Sequence, residues 1–257
     1  MMPTALIVED EPEANKLLSL LVQLRGYKTY SAFTGGDALE LVQYRRPDVV
    51  FLDLMLPDTN GYDVCRALKG QRQTTLIPII MVSARLAAEN RVMSYGVGAN
   101  EYVPKPYTPD QIFEAMAAAS SWRRKIEANS ASGQITLECR DEVEAFAQLG
   151  QLQSVLLTRT AWDEEAVRQL SADLFKVSQN VVAWGRRHGV DPVASVRFEV
   201  HTQRVLLTVQ DLGGWFSSHD LPHEEALGLL IGHGRFDSVE YSNTGSGVLL
   251  EKRFQTG

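Results

Sequence analysis

Cysteine is scarce in this chain. Cys65 and Cys139 are the only two among 257 residues, and they fall in different halves with no partner at metal-ligand spacing. A disulfide scaffold and a zinc ribbon are excluded, and a reduced intracellular pair is expected. Positive charge is also short. Lys and Arg number 25 against 32 Asp and Glu, for a net charge of −7, so a cationic surface for nonspecific polyanion binding is missing. The two tight basic clusters, Trp122-Arg123-Arg124-Lys125 and Arg186-Arg187-His188, read as helix C-terminal ends, where cations meet the negative end of the dipole. No stretch approaches the roughly 20 apolar residues of a membrane span. The N-terminus has no basic segment before an apolar run, because Glu9, Asp10 and Glu11 arrive early. The expected location is cytoplasmic, away from membranes. No internal repeat and no helix-turn-helix with a basic recognition helix is visible, so direct DNA binding is not expected.

What is present is ordinary globular material: 44% hydrophobic and 22% charged residues, enough for a buried core. The length fits two domains. The first half alternates between two patterns. Short apolar runs at Ala5–Val8, Asp48–Leu52 and Ile77–Val82 suit strands buried on both faces. Between them, stripes such as Leu17, Leu18, Leu21 and Leu24, or Ala38, Leu39 and Val42, recur at helical spacing. A Lys28–Phe33 strand and a Glu101–Val103 strand complete the set, and a last helix starts at Thr108 or Pro109. Strands alternating with helices predict a doubly wound parallel sheet of flavodoxin type. The stretch Asn129–Gly133 is rich in Ser, Asn and Gly. It divides a first domain, 1–128, from a linker, 129–134, and a second domain, 135–257. There, a strand at Gln134–Glu138 and helices over Glu142–Leu157 and Glu164–Arg187 precede four strand-like runs, which predicts an α+β sandwich with helices on a mixed sheet.

Open parallel sheets bind ligands at the C-terminal ends of their strands. In this pattern Glu9 and Asp10 follow the first strand, Asp53 ends the third, Ser83 ends the fourth and Lys105 follows the fifth. Three carboxylates, a hydroxyl and an ammonium thus share one edge. Crowded carboxylates raise each other's pKa unless a cation intervenes, and an oxygen-lined pocket suits Mg²⁺. This is equipment for moving a phosphoryl group onto a carboxylate.

Those residues, in that order, resemble the receiver domain of two-component response regulators. The resemblance runs from about Pro3 to Ala119 and rests on Glu9-Asp10, the LDLMLPDTNG run around Asp53, Ser83 before a small residue, and Lys105-Pro106. It implies that Asp53 is the phosphoacceptor, that Glu9, Asp10, Asp53 and the Met55 carbonyl hold Mg²⁺, and that Ser83 and Lys105 contact the phosphoryl group. It also implies that Tyr102 is a switch aromatic moving with Ser83, and that Met55 and Arg85 flank the path of hydrolytic water. The implied donor is a histidine kinase or phosphotransfer protein. Pairing of two copies through the face that includes the last helix is a further implication.

The second half resembles the ATP-binding fold shared by histidine kinases and anti-sigma-factor serine kinases, on three motifs. KVSQNVVAWG carries Asn180 at the Mg²⁺-holding asparagine and Lys176 where the family has its glutamate base. Asp211-Leu212-Gly213-Gly214-Trp215 keeps the adenine-binding carboxylate and first glycine, with Trp215 in place of the second. Ala226-Leu227-Gly228-Leu229 keeps only Gly228. The resemblance implies a nucleotide site of Asn180, Asp211, Gly213 and Gly228, and a sigma factor or anti-sigma antagonist as partner. A charged lysine cannot act as a base, and Trp215 fills space that glycine leaves open. The expectation is therefore a degenerate domain that binds a protein partner, with ATP-dependent serine phosphorylation as the alternative. His219 and His223 flank Pro222 and read as a polar loop.

Overall fold

The computed structural model describes residues 2–84, 88–128, 132–138, 142–188, 193–201, 203–211, 234–241 and 247–254. The chain forms two compact units, Met1–Ala128 and Asn129–Gly257.

The first unit follows the sequence pattern closely. Its strands are β1 (Thr4–Val8), β2 (Lys28–Ala32), β3 (Val49–Leu52), β4 (Ile79–Ser83) and β5 (Glu101–Pro104). They alternate with α1 (Pro12–Gln23), α2 (Gly35–Arg45), α3 (Gly61–Lys69), α4 (Ala88–Gly96) and α5 (Pro109–Ala128). The strands form one parallel sheet in the order β2-β1-β3-β4-β5. This is the doubly wound order of the flavodoxin type, with its topological switch between β1 and β3. β3 and β4 are buried along their whole length, which is why their sequences are unbroken apolar runs rather than alternating ones. One sheet face packs on Leu18 and Val22 of α1 and on Ile112, Ala115, Met116 and Ala119 of α5. The other packs on Ala38, Val42, Val64, Cys65 and Leu68 from α2 and α3.

Local chemistry sets the helix starts. Pro12 occupies the first turn of α1. Thr34 Oγ1 accepts the Asp37 N–H at 3.0 Å, and Asn60 Oδ1 accepts the Tyr62 N–H at 2.9 Å.

The second unit contains β6 (Ser132–Glu138), α6 (Glu142–Arg159), α7 (Glu164–His188), β7 (Val193–Val200), β8 (Arg204–Asp211), β9 (Ser238–Tyr241) and β10 (Gly247–Arg253). Its sheet runs β6-β7-β8-β10-β9, and two findings differ from the sequence pattern. Every described pairing is antiparallel rather than mixed. The reason is the two-helix excursion between β6 and β7, which returns the chain to the end where β6 finished, so β7 runs back along it. In addition, β6 begins inside the stretch assigned to the linker 129–134. Ser132 pairs with Glu199 and Gly133 with Phe198. A Cβ on Gly133 would lie 2.5 Å from the Phe198 ring, so this glycine serves close packing rather than a flexible break. The core joins Phe146 of α6 to Phe175 of α7 at 4.3 Å between ring centroids, and buried Trp162 meets Phe236 at 5.6 Å and Phe254 at 6.2 Å. Among the described residues no helix is long and apolar enough to cross a membrane.

Candidate functional site

The C-terminal edge of the parallel sheet gathers the predicted residues. Register puts Val8 beside Leu52, so the residues that follow β1 and β3 emerge next to each other at the switch point. Carboxylate oxygens of Glu9, Asp10 and Asp53 lie within 4.8 Å of one another. Glu9 and Asp53 are buried, whereas Asp10 faces solvent. Lys105 Nζ stands 2.5 Å from Glu9 Oε2 and 2.5 Å from Asp53 Oδ2. Its backbone is fixed by the Lys105 N–H donating to the Ser83 carbonyl at 2.7 Å, and Ser83 itself is fully buried at the end of β4.

The electrostatics follow from this crowding. Burial pushes the Glu9 carboxyl above its usual value, against the lowering pull of Lys105, while Asp53 and Asp10 add to the rise. For Lys105, burial opposes its charge, but Asp53 and Glu9 outweigh it and its pKa is raised. Three carboxylates with one exposed member are an oxygen donor set open to solvent on one side. That fits Mg²⁺, which keeps several waters and takes few protein ligands.

The Asp53 end is held by its backbone. Its N–H donates to the Val8 carbonyl at 2.9 Å, and the Met55 N–H donates to Asp53 Oδ1 at 3.1 Å. Met55 forms a bridge with Asn60, and its side chain is half exposed beside the site. Tyr102, on β5, packs against the same apolar cluster as Tyr62. Burial, followed by the neighbouring Tyr62 phenol and the Asp53 charge, raises the pKa of the Tyr102 phenol. Arg85, paired with Met55 in the sequence pattern, lies outside the described residues.

Three supporting residues were not assigned a role from sequence. Asn15, buried in α1, donates to the Glu9 carbonyl at 3.2 Å and accepts from Ser31 Oγ at 2.7 Å, tying the ends of β1 and β2 together. Its signal was a polar residue on the apolar side of a helix. Asp58 accepts the Gly35 and Gly36 N–H groups at 2.8 and 2.9 Å, and these bonds hold its carboxyl below the usual value. Gly61 crosses so close to the acceptor strand that a Cβ there would lie 2.1 Å from the Asp53 carbonyl oxygen.

Only some of the residues expected at a nucleotide site in the second unit are described. Asn180 and Lys176 are both exposed on α7. Asp211 closes β8 opposite Ala194. Its side chain, together with Gly213, Trp215, His219, His223, Ala226 and Gly228, lies outside the described residues.

Residues 5–117 match the family described as the response regulator receiver domain. The DNA-binding response regulator MtrA of Mycolicibacterium smegmatis is 30% identical over 210 residues, covering 80% of this chain and 87% of that protein. The phosphate regulon transcriptional regulatory protein PhoB of Pseudomonas aeruginosa is 34% identical over 115 residues, and the chain spans only 50% of it. It likewise spans 51% of the transcriptional regulatory protein KdpE of Mycobacterium tuberculosis. A solved putative response regulator from Chloroflexus aurantiacus is 27% identical with a TM-score of 0.45, covering 47% of this chain and 99% of that one.

Proposed function

Because the chain belongs to the response-regulator family, we propose that it receives a phosphoryl group on Asp53 from a histidine kinase or phosphotransfer protein and uses it to control its second unit. The supporting observation is the convergence of Glu9, Asp10 and Asp53 with Lys105 at the switch point of the parallel sheet. In the transfer, the N–P bond of a donor phosphohistidine breaks as an Asp53 carboxylate oxygen forms the new O–P bond, and the imidazole leaves with the electron pair. Glu9, Asp10, Asp53 and the Met55 carbonyl would hold Mg²⁺, whose charge offsets that of the incoming phosphoryl oxygens. Lys105 is placed to meet another of those oxygens. Ser83 and Tyr102 read the modification from the neighbouring strand ends. The donor protein must cover the rim of this site, and α1, which starts at this edge of the sheet, carries exposed Leu17 and Leu20 at helical spacing. Leu20→Glu should slow transfer from a phosphohistidine donor and spare labelling by a small phosphodonor.

The second unit is proposed to act by binding a protein, a sigma factor or anti-sigma antagonist in the reading that its motifs support. DNA binding is a second reading, favoured by the relative matched over most of the chain. The net charge of −7 and a described second unit of two long helices on an antiparallel sheet argue against it. Mobility shift of DNA and capture of protein partners, each with and without phosphorylation, separate the two.

The deciding experiment for the site is intact-mass measurement after treatment with acetyl phosphate and Mg²⁺. Wild type gains one phosphoryl group, whereas Asp53→Asn and chelated protein gain none. Labelling of the Asn variant would move the acceptor elsewhere.

A further inference from the structure

Tyr62 follows Gly61 at the start of α3, and its phenol reaches across to α4. Tyr62 Oη lies 3.3 Å from the Asn90 carbonyl oxygen and 3.3 Å from Asn90 Oδ1. A phenol has one proton to give, so it shares that proton between the two acceptors or alternates between them. Ser94 Oγ donates to the same carbonyl at 2.7 Å. Asn90 is therefore held from two sides, by the next turn of its own helix and by a neighbouring helix.

The other end of this connection leads to the acidic site. The Gly61 N–H donates to the Leu54 carbonyl at 2.9 Å, one residue after Asp53. The ring of Tyr62 rests on the apolar cluster that also carries Leu54 and Tyr102. The Asp53 charge reaches the Tyr102 phenol, and Tyr62 and Tyr102 pack on one cluster, so the two phenols and the acceptor carboxylate form one neighbourhood. A short path of hydrogen bonds and packed rings thus runs from Asp53 through Leu54, Gly61 and Tyr62 to Asn90.

We propose that Tyr62 is a positioning residue that ties α4 to α3 and sets how readily α4 responds to a change at Asp53. The proposal rests on the reading of Asp53 as phosphoacceptor and adds a side chain that ties α4 to α3. Movement of the Leu54–Gly61 segment, or of Tyr102 against its neighbour, draws the phenol away from Asn90. α4 then keeps its internal bonds and the bond from Tyr95 to Glu101 of β5, loses its tie to α3, and shifts more freely. Phenylalanine at this position keeps the ring on the core and removes only the donor.

Hydrogen exchange of α4 peptides in the full chain tests this, with Mg²⁺ present and with or without beryllium fluoride as the phosphoryl mimic. In the resting protein, Tyr62→Phe should speed exchange in α4 by roughly two- to tenfold, the effect of one net hydrogen bond. Beryllium fluoride should then add less in the variant than in wild type. Asn90→Ala, which leaves the backbone acceptor in place, should give a smaller change. Unchanged α4 exchange in resting Tyr62→Phe overturns the tie even where wild type responds to the mimic. A uniform rise across all helices overturns it too, since that reports general loosening. Failure of wild type to be labelled at Asp53 would instead strike the phosphoacceptor reading, and a local α4 effect of Tyr62→Phe would still support the tie.

Discussion

Lys105 Nζ lies 2.5 Å from Asp53 Oδ2, and the same ammonium reaches Glu9 Oε2 at 2.5 Å. One cation therefore serves two of the three carboxylates, and together they hold its pKa above the usual value despite burial. A divalent ion entering the pocket competes with this ammonium for the same oxygens. Lys105→Met is expected to bind Mg²⁺ more tightly, by about three- to tenfold. The same variant is expected to be phosphorylated more slowly, because nothing replaces the positive charge at the phosphoryl oxygens. Calorimetry with Mg²⁺ and intact-mass time courses read the two effects separately. Weaker Mg²⁺ binding in the variant would show that the lysine organises the carboxylates rather than competing for them.

Gly61→Ala should damage the site without touching any charged group. The added Cβ would sit 2.1 Å from the Asp53 carbonyl oxygen and 2.9 Å from the Leu54 Cα, both backbone atoms that cannot swing aside. The acceptor strand or α3 must move, at a cost of about 1–3 kcal/mol by analogy with overpacked cores. Urea denaturation reads the loss of stability, and labelling of Asp53 should fall with it. A change below about 0.5 kcal/mol would mean the loop relaxes freely.

Much of the first unit was legible because its strands are buried on both faces. The apolar run over Val49–Leu52 has no other ready explanation, and the parallel topology then brings Asp53 and Lys105 to one edge. What was not legible depends on contacts distant in sequence. Asn15 sits among leucines, and its role appears only when the Glu9 carbonyl is seen against it. Gly133 looks like linker composition until Phe198 is placed over it. The direction of β7 depends on the return path of α6 and α7 and leaves no trace in β7 itself. Asn180 and Lys176 were legible as helix residues, but helical spacing does not say which face of α7 meets a ligand.

Lys69 gives a prediction about pH. It is 3% exposed at the end of α3, with Nζ donating to the Thr75 and Ile77 carbonyls at 3.0 and 2.8 Å. The Trp122 ring lies 4.4 Å away. Burial pulls its pKa from 10.5 down to about 7, while burial pushes the nearby Cys65 thiol up to about 12, so that group stays neutral below this. Between about 7 and 10.5 the unfolded chain holds a proton on Lys69 that the folded protein has released. By linkage this group makes stability rise with pH across that window, and the gain is lost progressively as pH falls from about 10.5 to about 7, where it is gone. Lys69→Met removes the slope. Urea midpoints of both proteins at several pH values from about 6 to 10 check it, because other titrations cancel in the difference. A difference that stays flat with pH would show that Lys69 keeps its proton throughout.

The final prediction is that the second unit binds a partner without turning over ATP. Lys176 and Asn180 stand four residues apart and exposed on α7, with Lys176 where the kinase resemblance implies a base. Asp173, one turn before Lys176, is a carboxylate on the same helix. It is buried, however, and its Oδ2 is committed to the guanidinium of buried Arg235 at 2.5 Å. Freeing it as a base would break this buried ion pair, a cost of several kcal/mol. Calorimetry with ATP and Mg²⁺ is expected to show weak binding or none, and no phosphoserine should form on a captured partner. Partner capture should survive Asn180→Ala and depend on the state of Asp53. Tight ATP binding with stoichiometric transfer to a serine would overturn this reading. In that case Lys176→Glu should raise the rate further, because it restores the carboxylate that the kinase resemblance implies at this position.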